Sequence, residues 1–168
     1  MTDLKQFVPQ EVCLKCRGCC RFAEADSVWL PCLLDEEVVV LADNAAIPAV
    51  SVSAAKRIMP VANPAGEGFL CPFLNSKDNK CAIYDIRPFE CRLYPFLLNL
   101  RGSKVILTVD LNCPYIEDNI RTPAFKKYSE ELAAFLNSPQ QVKILKENPH
   151  LLQAYEEVAE VIELGLRR

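Results

Sequence analysis

The alternation of apolar and polar residues in the middle of the chain predicts a β-hairpin. An apolar run at residues 96–100 is followed by the turn signal Arg101-Gly102-Ser103 and then by the strand-like run Lys104–Asp110. Cys113 follows shortly after this second run. The second strand is therefore expected to deliver a cysteine to the end of the hairpin.

Beyond residue 120 the apolar positions recur with helical spacing. Thr122 and Ser138, each followed by proline, predict the N-termini of two helices. A third helix is predicted over residues 149–166, where Leu151 and Tyr155 begin an apolar stripe. The C-terminal part of the chain is therefore expected to be a helical annex.

The first part of the chain predicts shorter elements. Residues 27–34 are apolar and are expected to be extended, and Asp35 is expected to cap a helix that continues through residues 38–46. A second short helix is predicted over residues 51–59. Residues 60–95 are rich in proline and glycine, so long elements are not expected there and order would come from metal binding.

These patterns together predict the α+β class. We expect a small, loop-rich cysteine-cluster core with a short β-hairpin, and a C-terminal helical annex packed on it. The expected metal-binding domain covers residues 1–118, and the annex covers residues 119–168.

The composition excludes several classes of protein. The 168 residues are 51% hydrophobic and 24% charged, which is enough for a folded core. A net charge of −3 does not favour nucleic-acid binding, and no apolar run reaches the ~18 residues of a membrane span. The first residues lack the apolar stretch of a signal peptide, so a cytoplasmic, reducing environment is expected.

Four cysteines within eight residues, the first cysteine loop (residues 13–20), indicate metal chemistry. Cys13, Cys16 and Cys19 have the two-residue spacings that ferredoxin loops use for three corners of a cubane. Backbone N–H groups in such loops often point at the sulfurs and offset their charge. A reducing compartment and an odd total of nine cysteines argue against a disulfide framework.

The remaining cysteines extend the candidate site. Cys71 and Cys113 precede proline, as cluster cysteines often do. Cys32 lies in an apolar run and is interpreted as a small buried residue. Cys20 cannot easily share a metal with its neighbour, so it is either a ligand of a second site or a free buried thiol. The candidate metal ligands are Cys13, Cys16, Cys19, Cys20, Cys71, Cys81, Cys91 and Cys113.

The spacing favours an iron–sulfur cluster of the [4Fe–4S] type over zinc, which is the alternative. Structural zinc usually uses two paired Cys-x2-Cys knuckles, whereas this chain has one compact group followed by single cysteines. The single histidine, His150, is remote from the cysteines and more typical of a helix start.

Arg87 and Arg92 flank Cys91 and are candidate residues around the bound group. Cations at these positions would stabilise a negatively charged thiolate site. The alternative is that both arginines form surface pairs with Asp85 and Glu90.

The cysteine pattern resembles that of a known family. Cys-x2-Cys-x2-Cys-Cys is followed by Cys71-Pro72-Phe73-Leu74 and by a segment from Cys81 to Tyr94-Pro95 that contains Arg87-Pro88 and Cys91-Arg92. This order is similar to that of the YkgJ-type cysteine-cluster proteins, described as zinc- or iron-chelating. The resemblance spans residues 13–114, implies metal chelation, and places the eight candidate ligands, without Cys32, at the family's cysteine positions.

Three functions from different classes remain open at this point. The first is a metal- or cluster-binding protein for electron transfer, sensing or metal handling, with or without a protein partner. The second is a protein-lysine methyltransferase-like enzyme, because the flagellin lysine N-methylase shares the cysteine pattern; the chain is short for that enzyme and shows no methyl-donor site. The third is a structural zinc module that mediates protein contacts.

Overall fold

The computed structural model describes residues 4–16, 18–43 and 52–167 of the chain. The chain divides into two compact units. We call Pro9–Arg92 the cysteine unit, and Met1–Val8 together with Leu93–Arg168 the sheet unit. The boundary expected from the sequence, between residues 118 and 119, falls inside the sheet unit and stays a prediction.

The cysteine unit is built from short elements, as its proline and glycine content predicts. A 3₁₀ turn at Tyr84–Ile86 precedes the last of its helices. The helices are α1 (Gln10–Cys13), α2 (Asp35–Asp43) and α3 (Phe89–Leu93), and the strands are β1 (Arg21–Phe22), β2 (Val61–Ala62), β3 (Phe69–Leu70), β4 (Leu74–Asn75) and β5 (Lys80–Cys81).

Two small sheets and an apolar core hold the cysteine unit together. One sheet has the strand order β1-β3-β2, and the other is the β4-β5 hairpin. Gly68, just before β3, has a φ of 81°, and a Cβ there would lie 2.7 Å from the carbonyl oxygen of Phe22. Only glycine can accept both the positive φ and this close approach. The buried core around these sheets includes Leu33, Ile58 and Phe73.

The sheet unit contains a three-stranded antiparallel sheet and three helices. Its strands are ordered β6-β7-β8, and a 3₁₀ turn lies at Pro149–Leu151. The elements are β6 (Phe96–Arg101), β7 (Lys104–Asp110), α4 (Pro114–Asn119), α5 (Pro123–Leu136), α6 (Pro139–Glu147) and β8 (Val158–Arg167).

The structure confirms the α+β class, the hairpin and two of the helix starts. β6 and β7 pair from Phe96 opposite Val109 to Arg101 opposite Lys104, and the turn uses Gly102 at a φ of 61°. The hydroxyls of Thr122 and Ser138 accept hydrogen bonds from the first turns of α5 and α6, as expected for N-caps.

The third predicted helix is wrong. Residues 149–151 form the 3₁₀ turn, Glu157 has a φ of 58°, and residues 158–167 form β8 against β7. The stretch ends with apolar residues alternating with Glu163, Gly165 and Arg167, a strand pattern. Pairing with the hairpin and the β-branched residues of this stretch outweigh its helical period.

Two predictions near α2 also need correction. The helix begins at Asp35 itself, so the residue before it, Leu34, occupies the cap position. The short helix predicted over residues 51–59 is absent from the described residues 52–59, where Val52 pairs with Ile58 around a turn with Lys56 at a φ of 57°. Residues 44–46 and 51, included in these predictions, lie outside the described residues.

Candidate metal centre

The first cysteine loop starts where α1 ends. Cys13 is the last residue of α1, and the backbone N–H of Cys16 still donates to the carbonyl oxygen of Val12, at 3.1 Å. The N–H of Gly18 then turns towards the Cys16 sulfur, at 3.3 Å. This contact confirms that the loop directs a backbone donor at one of its own thiols.

A strand pair places Cys20 beside Cys71. Arg21 of β1 is paired with Leu70 of β3, so the residues just outside this pair also face each other. The N–H of Cys71 donates to the carbonyl oxygen of Cys20 at 3.0 Å, which extends the ladder by one bond. Two cysteines 51 positions apart in the sequence are thereby neighbours.

The β4-β5 hairpin brings Cys81 to the same region. Cys81 pairs with Leu74, and the N–H of Ala82 donates to the carbonyl oxygen of Phe73 at 2.8 Å. At the turn of this hairpin, the side-chain amide of Asn79 donates to the carbonyl oxygens of Leu14, at 3.1 Å, and of Cys16. The hairpin is therefore hydrogen-bonded directly to the first cysteine loop.

Cys91 lies on α3, and two glutamates connect this helix to the chain around α2. Glu37 is buried, and its carboxylate accepts hydrogen bonds from the N–H groups of Leu34 (2.9 Å) and Phe89 (2.6 Å). Glu90 accepts a hydrogen bond from the N–H of Cys32, at 2.6 Å. Burial raises the pKa of Glu37, and its two backbone hydrogen bonds oppose that rise.

Several thiols of the cysteine unit raise one another's pKa values, as neighbouring ionisable groups do. The pKa of Cys91 is raised well above its usual value by burial and then by the neighbouring Cys71 and Cys20. Burial raises the pKa of Cys71 to about 12, and both Cys20 and Cys81 add to the rise. The thiols linked in this way are Cys13, Cys19, Cys20, Cys71, Cys81 and Cys91.

Cys19 and Cys20 behave as a hydrogen-bonded pair. The Cys19 thiol donates to the Cys20 sulfur, which raises the pKa of Cys19 and lowers the pKa of Cys20 to about 7. The positive charges of Arg21 and Arg87 lower the pKa of Cys20 further. Cys20 is therefore the thiol of this pair that ionises first near neutral pH.

Backbone N–H groups are directed at the sulfurs on both sides of the candidate site. The N–H groups of Phe73 and Leu74 oppose the rise in the pKa of the Cys71 thiol, although that of Leu74 donates to the Cys71 carbonyl oxygen, at 3.0 Å. The N–H of Ile83 opposes the rise in the pKa of the Cys81 thiol in the same way. With the Gly18 contact to Cys16, three of the candidate ligands receive backbone donors. Such donors stabilise a thiolate more than a neutral thiol, so those at Cys71 and Cys81 oppose the rise that burial causes in the pKa values of these two thiols.

The two arginines that flank Cys91 differ in their surroundings. Arg87 stacks over the ring of Tyr84, at 3.7 Å from its centroid, and its charge lowers the pKa values of Cys20 and Cys81. Arg92 lies 3.9 Å from the carboxylate of Glu37 with 17% of its side chain exposed. Among the described residues, its buried Nε has no hydrogen-bond partner.

Three further residues singled out by the sequence have other surroundings within their own units. Cys32 is fully buried, and burial raises the pKa of its thiol to about 12, in keeping with its interpretation as a core residue. Cys113 is buried in the sheet unit, at the N-cap of α4, and its role as a ligand stays a prediction. His150 lies in the 3₁₀ turn of the sheet unit.

Within residues 4–16, 18–43 and 52–167, no three histidine, cysteine, aspartate or glutamate side chains converge closely enough to form a ready-made metal site. The donor set nevertheless fits zinc or iron, because thiolates are the ligands that both metals accept. Small thiolate sites commonly close on the metal as it binds. The buried, unpaired Nε of Arg92 also fits a negatively charged group held next to α3.

Two residues that organise the site have no clear signal in the sequence. Glu37 is one of three acidic residues in the first turn of α2, yet it also accepts the N–H of Phe89, 52 positions away. Asn79 lies in a turn with a φ of 58° and bonds to carbonyls 63 and 65 positions away. A single sequence carries local signals, and these bonds are long-range.

Comparison with known proteins identifies the class to which this arrangement belongs. Residues 12–120 match the family model CxxCxxCC, whose description is "putative zinc- or iron-chelating domain". The chain belongs to this family, as its cysteine pattern predicts. It is thus a member of a metal-chelating class of proteins.

The chain is also similar to a curated protein from an archaeon. The chain is 31% identical over 135 residues to the uncharacterized protein MJ0661 of Methanocaldococcus jannaschii, an alignment that covers 74% of this chain and 69% of the relative. No solved structure gives a significant match. In the part of the chain that the structure describes, no helix is long and apolar enough to cross a bilayer.

Proposed function

We propose that the cysteine unit binds a metal through its thiolates, and that it holds this metal as an iron–sulfur cluster of the [4Fe–4S] type rather than as zinc. The ligands would come from Cys13, Cys16, Cys19, Cys20, Cys71, Cys81 and Cys91. The bound group would supply one-electron redox chemistry, which suits electron transfer or sensing.

The observation that carries this proposal is the set of backbone N–H groups directed at sulfur. The N–H of Gly18 lies 3.3 Å from the Cys16 sulfur. The N–H groups of Phe73 and Ile83 oppose the rise in the pKa values of Cys71 and Cys81, so three cysteines on separate segments of the unit have such a donor nearby. A chain that merely buried its cysteines as small apolar residues would have no reason to direct such donors at them. Donors of this kind surround thiolates that bind metals.

Burial around the thiols supports the cluster over zinc. Cys71 is buried in the apolar core with Phe73 and Ile83, and Phe89 at the start of α3 is also buried. A dry environment and hydrogen bonds to sulfur are the means by which proteins set the reduction potential of an iron–sulfur cluster. Structural zinc needs neither property to the same degree.

The arginines of the unit have a supporting role in this proposal. Several thiolates around one group leave a net negative charge, which Arg87 and Arg92 would offset. Arg87 already lowers the pKa values of two of the thiols, and the Nε of Arg92 is free to donate. Arginine keeps its charge when partly buried, so this contribution persists in a dry site.

Anaerobic purification followed by metal, sulfide and spectroscopic analysis tests the proposal. A [4Fe–4S] protein should contain about four iron atoms and four sulfide ions per chain and should show visible charge-transfer absorption. The Cys16→Ala and Cys91→Ala variants should lose this absorption. If the analysis finds stoichiometric zinc and no sulfide, the site is a zinc site and not an iron–sulfur cluster. If it finds no bound metal of any kind, the whole proposal is wrong.

A further inference from the structure

One buried carboxylate, that of Glu37, accepts backbone hydrogen bonds at the N-termini of two helices. One oxygen of Glu37 accepts the N–H of Leu34, the residue before α2, at 2.9 Å. Its other oxygen accepts the N–H of Phe89, the first residue of α3, at 2.6 Å. Glu37 is only 5% exposed, so solvent does not compete effectively for these bonds.

Helix α3 depends on this carboxylate because its own sequence provides no cap. Pro88 occupies the position before α3 and has no side-chain acceptor, whereas the first turn of a helix presents unpaired N–H groups. The carboxylate of Glu37 supplies the missing acceptor from 52 positions earlier in the chain, and its negative charge also suits a helix N-terminus.

A second carboxylate connects the same two segments, but here α3 supplies the carboxylate and the chain before α2 supplies the N–H group. Glu90 of α3 accepts the N–H of Cys32, at 2.6 Å, two residues before Leu34. The neighbouring Leu33 is fully buried in the core that also contains Cys71. Helix α3 is therefore fixed to the core by hydrogen bonds from both sides.

We infer that Glu37 is a positioning residue for Cys91. It holds the short helix α3 so that the Cys91 thiol lies against the other cysteines, and Glu90 reinforces this hold. The inference rests on the proposed function, because it assigns Glu37 a role in presenting one thiol of that same metal site.

Cobalt titration of metal-free protein tests the inference, with Co²⁺ as a spectroscopic probe of thiolate ligation. Glu37→Gln keeps the shape of the side chain but loses the negative charge and one of its two acceptor oxygens. It should weaken Co²⁺ binding by about 10- to 100-fold, as expected for a residue that orients a ligand. Glu36→Gln, an exposed neighbour on the same helix, should bind Co²⁺ like the wild type.

A double-mutant cycle separates positioning of Cys91 from a general loss of structure. If Glu37 acts through Cys91, then Glu37→Gln should cause no further loss of Co²⁺ affinity in a Cys91→Ala background. It should also reduce the thiolate-to-cobalt charge-transfer intensity per bound ion, as Cys91→Ala does. Additive effects, or an unchanged spectrum and affinity in Glu37→Gln, would overturn the inference.

Two further measurements keep the outcome decisive. If Glu37→Gln does not fold, Glu90→Gln takes its place, because it removes the charge of the second carboxylate. Glu90→Gln should lower Co²⁺ affinity in the wild type but cause no further loss in the Cys91→Ala background. An equal loss of affinity in both backgrounds would contradict the inference. If the wild-type protein binds no metal, the proposed function fails, and alkylation of Cys91 then tests Glu37 alone. Glu37→Gln should speed alkylation of Cys91 in metal-free protein, and an unchanged rate would overturn the role of Glu37.

Discussion

Cys32 and Cys91 form a matched pair of cysteines whose replacement by alanine should have different consequences. Both belong to the cysteine unit, and the N–H of Cys32 donates to the carboxylate of Glu90, the residue before Cys91. Cys32 is 0% exposed and has no place among the thiols that interact with one another. Cys91 interacts with Cys71, Cys20 and Cys81.

The expected magnitudes follow from burial and from metal binding. Each replacement removes one buried sulfur atom, which should cost about 1 kcal/mol in the metal-free protein, by analogy with other deletions of one buried atom. Cys91→Ala should also weaken metal binding by at least about 100-fold, which corresponds to about 2.7 kcal/mol. The two variants should therefore be similar without metal and differ by about 3 kcal/mol with metal in excess.

Urea unfolding of both variants, with and without metal, measures this difference, and elemental analysis gives the metal content. Cys32→Ala should retain the full metal content, and alkylating reagents should leave Cys32 unmodified in the folded wild type because its pKa is about 12. Equal loss of metal in Cys32→Ala and Cys91→Ala would refute the assignment of the ligands.

Three other changes test separate parts of the account. Gly68→Ala should destabilise the protein by more than 1 kcal/mol in urea unfolding and weaken metal binding, because its Cβ would clash with Phe22 beside the Cys20–Cys71 pair. Gly66→Ala is the control, because its Cβ would meet no atom closer than 3.8 Å. Its free energy of unfolding should stay within about 0.5 kcal/mol of the wild type. Arg92→Ala should lower metal affinity by about 10- to 100-fold and Arg92→Lys by less, as measured by chelator competition. Equal affinities of both variants and the wild type would show that Arg92 does not act on the bound metal. Metal affinity should rise between pH 6 and pH 8, because metal binding displaces protons from thiols such as Cys71, whose pKa is about 12. Metal titrations that show the same affinity at every pH in this range would contradict thiolate ligation.

The same raised pKa values set the pH dependence of the metal-free protein. A thiol with a higher pKa in the folded state than in the unfolded state favours folding while it is protonated. This contribution is complete below the ordinary thiol pKa of 9.0 and is lost as the pH rises towards the folded value of about 12 for Cys71. The metal-free protein should therefore become less stable above about pH 9.

The sequence predicted the parts of this molecule that depend on local signals. The Gly102 turn between two apolar runs defined the hairpin, and Thr122 and Ser138 defined helix starts, because each signal lies within a few residues of the structure it specifies. The spacing of Cys13, Cys16 and Cys19 likewise indicated the metal-chelating family to which the chain belongs.

The parts that were missed depend on contacts between distant segments. Strand β8 was expected to be helical because Leu151 and Tyr155 began an apolar stripe with helical spacing, whereas pairing with β7 decides the conformation of residues 158–167. Glu37 and Asn79 act through hydrogen bonds to segments more than 50 positions away. No pattern in one sequence specifies which distant backbone group such a side chain will meet.

The metal content of the chain, compared with a variant in which Cys16, Cys71 and Cys81 are replaced by serine, tests the central claim most directly. A backbone N–H lies 3.3 Å from the Cys16 sulfur, and backbone N–H groups oppose the rise in the pKa values of Cys71 and Cys81. If the thiolates of the cysteine unit bind a metal, elemental analysis of anaerobically produced protein should find stoichiometric metal in the wild type and none in the variant. A wild type without metal, or a variant that retains the full amount, would contradict the account.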